Sequence, residues 1–106
     1  MTAIDLQTLT RGEVRSLSGH DRGLAAREYF HLDGLDAAPE EVVVIAPSTL
    51  DALTPSFVQG LFAASVHALG KEGFFKHYSF RLPKHLMTDV RLGVDRVLMR
   101  RTIAGT

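Results

Sequence analysis

Residues 41–47 read Glu-Val-Val-Val-Ile-Ala-Pro, and the reading of the whole chain starts from them. Val42, Val43, Val44 and Ile45 are all β-branched, which favours extended backbone. No polar residue alternates with them, so neither face of the strand is written for water. A strand apolar on both faces lies in mid-sheet, covered on both sides and parallel to its neighbours. Pro47 closes it, because proline cannot donate to a central ladder. A few residues on, Thr54 and Pro55 form a helix start: a hydroxyl for the N-cap, then proline where a missing N–H costs least. Residues 55–69 are apolar almost all round, with Phe57, Val58, Leu61, Phe62, Val66 and Leu69, and Gly70 is placed to end them. A buried strand that hands directly to an enclosed helix is the unit of an α/β fold.

The flanks extend the pattern. Residues 74–82 alternate, with Phe74, Tyr78, Phe80 and Leu82 on one side and Phe75, His77, Ser79 and Arg81 on the other. This predicts a strand nearer a sheet edge, stopped by Pro83. Residues 84–100 predict a helix whose core stripe is Leu86, Val90, Val94, Val97 and Leu98. Gly93 inside that helix points to a close approach there. Upstream, the first ten residues read as a half-exposed strand with Ile4 and Leu6 turned inward, and residues 11–21 as a loop or second short strand. Ser18 and Asp21 are candidate N-caps for a helix over residues 21–32. Its predicted core face holds Leu24, Ala25, Leu32 and Leu35, with Arg22, Arg27 and Asp33 lying elsewhere and Gly34 as the stop. The expected architecture is a single α/β domain over residues 1–106, a mixed sheet of four or five strands packed with three helices.

Composition removes several classes of function. Twelve Lys and Arg balance twelve Asp and Glu in the 106 residues, so a globally basic nucleic-acid binder is excluded. The absence of cysteine removes disulfides, thiolate zinc sites and cysteine nucleophiles. No apolar run approaches the ~18 residues that span a bilayer, and the N-terminus lacks a signal-peptide core, so a soluble cytoplasmic domain is expected. The charge is nonetheless segregated. Residues 1–70 hold four Arg against nine acids, net −5, and residues 71–106 hold eight bases against three acids, net +5. Such a dipole favours an oriented partner or self-association.

The block VVVIAPSTLDALTPSFVQGLFAASVHALG resembles the STAS domain, the fold of bacterial anti-sigma factor antagonists, and is most similar to a bacterial STAS-like family with no assigned activity. Upstream, RSLSGHDRGLAAREYF resembles that family's Leu-Ser-Arg and Ala-Arg segment, with His20 and Asp21 intervening before Arg22. The likeness covers roughly residues 14–82. It implies a non-enzymatic regulatory module that docks a protein partner of the kind the antagonists have, an ATP-binding, kinase-like anti-sigma factor that phosphorylates the antagonist. Aligned on strand and helix, the antagonists' Asp-Ser pair falls on Thr54 and Pro55, and Ala46 stands where the family often has an acid. Proline carries no hydroxyl, so Ser56 and Thr54 are the candidates for phosphorylation. The contact surface implied comprises Thr54, Pro55, Ser56 and Phe57 with Ser18, His20 and Arg22.

Other chemistry has weaker support in the sequence. Ser18, His20 and Asp21 carry the residue types of a small hydrolase or transferase, with Asp51 as an alternative acid, but no G-x-S-x-G elbow accompanies them. No cofactor is expected, since neither a P-loop nor G-x-G-x-x-G occurs. No metal site is expected, because the pairs His20/His31 and His77/His85 lack helical ligand spacing. His67 reads as a partly buried, satisfied histidine within the apolar helix. Arg91, Arg96, Arg100 and Arg101 make the last helix basic, without the interleaved aromatics that a nucleic-acid partner would call for. Leu92 and Met99, with Ile103 if the helix persists, lie opposite the core stripe and form a candidate self-association face, the basis of an alternative reading as a self-assembling structural subunit.

Overall fold

The computed structural model describes residues 2–10 and 15–104, with side chains through residue 99. Arg100, Arg101 and Ile103 therefore lie outside the residues whose side chains are described. The elements run β1 (Thr2–Asp5), α1 (Gln7–Thr10), β2 (Ser16–Leu17), α2 (His20–Tyr29), α3 (Leu32–Ala37), β3 (Val42–Ile45), β4 (Ala52–Leu53), α4 (Pro55–His77), β5 (Tyr78–Arg81) and α5 (Lys84–Ala104).

The valine strand occupies the centre. β3 pairs in parallel with β1 on one side (Val42 opposite Thr2) and with β5 on the other (Val42 opposite Tyr78). Val42, Val43 and Val44 are all buried. The expectation of a mixed four- or five-stranded sheet is corrected: β1, β3 and β5 form a three-stranded sheet, β2 and β4 a separate pair, and every pairing is parallel. The reason is connectivity. The strands that pair are separated in the chain by helices, the crossover connection that returns a strand parallel to its neighbour. β5 is an edge strand, as the alternation suggested.

Helix α4 starts as its sequence dictates. Thr54 is extended (φ −64°, ψ 151°), its Oγ1 accepts the Phe57 N–H at 3.3 Å, and Pro55 follows. The helical run is interrupted at Gly70 (φ 76°, ψ 165°), the backbone region that favours glycine. Helical geometry then resumes through His77, so residues 74–77 are helical where a strand was expected. Phe74 is fully buried, with ring centroids 5.1 Å from both Phe62 and Tyr78. Burial of these rings in one aromatic cluster overrides the local alternation.

Four further corrections come from the N-terminal half and α4. Asp5 ends β1 early: its Oδ1 accepts the Gln7 N–H at 2.9 Å and turns the chain into the single-turn helix α1. The helix expected over residues 21–32 divides at His31, which is left-handed (φ 57°, ψ 47°), and α3 continues past Gly34. Leu24 and Ala25 face outward, while Gly23, Ala26 and Arg27 are buried, because α2 presents its glycine to α4. A Cβ built on Gly23 would fall 2.2 Å from the Phe57 carbonyl oxygen, and one on Gly60 would fall 2.2 Å from that of His20. The two backbones therefore touch with nothing between them. His67 is exposed, not partly buried as expected.

The α5 side follows the sequence reading. Leu86, Val90, Val94 and Val97 are buried and Leu98 packs at their margin. Gly93 is the predicted close approach: a Cβ there would meet Val58 Cβ at 2.5 Å.

Candidate functional site

The short pair β2–β4 assembles the turn that the sequence singled out. Ser16 lies opposite Ala52 and Leu17 opposite Leu53, with both leucines buried. Each strand then passes into a helix, β2 through Ser18 and Gly19 into α2, and β4 through Thr54 into α4. The Thr54 N–H donates to the Leu17 carbonyl at 2.9 Å. The Gly19 N–H donates to Thr54 Oγ1 at 3.4 Å, while the same oxygen accepts from Phe57. One hydroxyl thus caps its own helix and ties down the turn that leads into the other. With the Gly23–Gly60 contact one turn further on, residues 18–22 and 54–56 are brought side by side at the carboxyl ends of paired parallel strands, the end at which α/β folds present ligand sites.

Exposure sorts the candidate residues. Ser18, His20, Asp21, Arg22 and Ser56 are exposed, and Thr54 and Pro55 are half-buried. Phe57 is only 1 % exposed, which corrects its place on the contact surface: it supports the turn from beneath. Of the two candidate hydroxyls, Thr54 already accepts two backbone N–H groups, whereas Ser56 stands on the open first turn of α4.

Helix α5 braces this region in a way the sequence did not announce. Asp89 Oδ2 accepts the Leu53 N–H at 2.9 Å, and His85 Nε2 lies 2.8 Å from the Leu50 carbonyl oxygen, where a protonated nitrogen donates. Both partners are more than thirty residues away in sequence, too far for any local pattern to reveal.

The residues of the hydrolase reading sit close in sequence without forming a relay. Among the described residues, no hydrogen bond joins the side chains of Ser18, His20 and Asp21, and Asp51 instead faces Arg15 at 3.4 Å. The histidines paired in the sequence reading are used separately: His77 Nε2 lies 2.6 Å from the Leu35 carbonyl oxygen and His85 serves Leu50. Among the described residues no group of three His, Cys, Asp or Glu could hold a metal ion, and no helix is long and apolar enough to cross a membrane.

The densest polar chemistry lies elsewhere, around Arg27, which the sequence reading left outside the core. Arg27 is 9 % exposed. Its Nη2 donates to Asp36 Oδ2 and Asp33 Oδ1, each at 2.6 Å, and its Nε to Asp33 Oδ1 at 3.0 Å. Its Nη1 donates to Ser65 Oγ at 2.8 Å and to the Leu61 carbonyl at 3.1 Å. Asp36 Oδ1 also accepts from Ser65 Oγ at 2.6 Å and from the Tyr78 hydroxyl. Burial alone would lower the Arg27 pKa, but the hydrogen bonds and charges of Asp36 and Asp33 outweigh it and hold it above the ordinary value. Burial, followed by the hydrogen bond to Asp36, pushes the Tyr78 phenol well above its usual range. Among the described residues no buried side-chain nitrogen or oxygen lacks a partner. The cluster is a satisfied clamp joining α2, α3, α4 and β5. Its sequence signal was weak: an arginine with acids six and nine residues on, and a serine 38 residues on.

Leu92 and Met99 are exposed at 45 % and 61 %, as the helical wheel required. Compared with family models, curated proteins and solved structures, the chain matches none.

Proposed function

We propose that this chain is a non-enzymatic, STAS-like protein-interaction module of bacterial regulation, acting in the cytoplasm. Its docking surface comprises Ser18, His20, Arg22, Thr54, Pro55 and Ser56, and its partner is an ATP-binding, kinase-like regulatory protein. The observation that supports this most directly is the shared Thr54 hydroxyl, which binds the N–H groups of Gly19 and Phe57 and so makes two segments 35 residues apart into one surface. A contact surface held in advance loses less ordering entropy on binding than two independent loops would.

Ser56 supplies a means of switching. A phosphate at the first turn of α4 would be favoured by the free N–H groups of the helix start. It would also place nearly two negative charges on a surface that a partner must desolvate, so phosphorylation would release the partner. Titration calorimetry of the purified chain with a kinase-like protein from the same genome tests the reading. Wild type is expected to bind, with Arg22→Glu and Ser56→Asp each weakening binding by about tenfold or more, or about 1.4 kcal/mol. Binding unaltered by both substitutions would overturn the proposed surface.

A further inference from the structure

The docking turn leaves two exposed apolar regions unused. Among the described residues four large apolar side chains stand in solvent: Leu24 and Tyr29 on α2, Leu92 and Met99 on α5. Both helices pack against α4, with no extensive contact between them.

Their charges differ in a matching way. On the open face of α2, Leu24 and Tyr29 flank the exposed acids Asp21 and Glu28. Arg22 is the exposed cation of that helix and stands at its first turn, while Arg27 is buried and engaged by Asp33 and Asp36. On α5, Leu92 and Met99 are flanked by the exposed cations Arg91 and Arg96. Beside Arg91 a shallow groove of about 370 Å³ opens between the last part of α4 and α5, lined by Lys71, Phe75, Arg91 and Asp95. Asp95 pairs with Lys71 at 3.6 Å, and Arg91 has no ion-pair partner among the described residues.

We propose that a second copy of this chain docks head to tail, laying the Leu24–Glu28–Tyr29 face of its α2 over the Lys71–Phe75–Arg91 groove and Leu92. Tyr29 enters the groove, where Phe75 offers an aromatic wall and Arg91 a cation for its ring. Glu28 then faces Arg91, and Leu24 covers Leu92. Both contacting surfaces belong to every copy, and they are different surfaces, so the interface is heterologous and propagates into a ring or a filament. It leaves residues 54–56 free, and it is independent of the identity of any regulatory partner.

Sedimentation of the full chain over a concentration series tests the inference. Wild type is expected to associate reversibly and more weakly as salt is raised. Glu28→Arg and Arg91→Glu, both at exposed positions, are each expected to weaken association by about tenfold or more while leaving the thermal midpoint unchanged. In an equimolar mixture both contacts between unlike variants are charge-matched, one native and one with the charges exchanged, so the mixture is expected to regain association by alternating the two variants. The proposal is overturned by a wild type that stays monomeric, by variants that associate like wild type, or by a mixture that fails to recover what each variant lost.

Discussion

On its α2 side, helix α4 is held by bare backbone contact at Gly23 and Gly60 and by the Arg27–Asp36–Ser65 cluster; on its α5 side it is held by Val58 seated on Gly93 and by Val90, Val94 and Val97. The first grip is directional. Hydrogen bonds and a backbone approach that admits no Cβ fix how far along α4 the helix α2 can sit. That position decides where residues 18–22 stand relative to residues 54–56. The second grip is apolar and tolerates redistribution of volume, as cores do. One helix therefore uses specificity where the candidate surface is built and packing where only burial is needed.

The comparison is tested hardest at Arg27. Replacing it with methionine leaves the carboxylate of Asp36, itself 10 % exposed, without its cation, and is expected to cost about 3–5 kcal/mol in urea unfolding. A loss below about 1 kcal/mol would show that the cluster adds little to the fold. Gly60→Ala comes next. Its new methyl meets the backbone oxygen of His20, which has no side chain to yield, and about 2–3 kcal/mol of destabilisation is expected. Gly93→Ala meets the Val58 side chain at 2.5 Å instead of a backbone oxygen at 2.2 Å, so a smaller cost of about 1–2 kcal/mol is expected, partly recovered in a double variant with Val58→Gly, which removes the Cβ it meets. Equal costs at the two glycines, or no recovery in the double variant, would dissolve the distinction between the grips.

At alkaline pH, comparison with Tyr78→Phe isolates the α2 side. The Tyr78 pKa is raised in the folded chain above its ordinary 10.0, so its contribution is fully present below about pH 10 and is lost as pH rises toward the folded value. Wild type is therefore expected to lose stability above about pH 10 more steeply than Tyr78→Phe, by up to about 1.4 kcal/mol per pH unit. Parallel curves would remove Tyr78 from the clamp. The smallest effect is expected at the cap: Thr54→Ala should cost about 1 kcal/mol, with Thr54→Ser recovering most of it.

The two grips also differ in how far the sequence disclosed them. Val42 to Ile45, the Thr54–Pro55 start and the Leu86–Val97 stripe were legible because each is written in residues close along the chain, and the Gly93 contact because a glycine inside a helical stripe marks a close approach. Arg27 was not, since its environment is completed by Asp36 and Ser65 from other helices, and a lone arginine on a helix reads as a solvated one. Residues 74–77 misled for a related reason: alternation suggested a strand, but the ring cluster of Phe62, Phe74 and Tyr78 is a tertiary property. The two-residue strands β2 and β4 are too short for periodicity to register. Of the candidate surface, the residues were visible in the sequence, and the shared hydroxyl that joins them was not.

Amide shift mapping of the isotopically labelled chain, titrated with the kinase-like protein, addresses the docking surface most directly. The amides of residues 18–22 and 54, 56 and 57 are expected to shift together at one common affinity, with Thr54→Ala uncoupling the two groups. Perturbations confined to α5, or two groups that titrate with different affinities, would contradict a single preassembled surface.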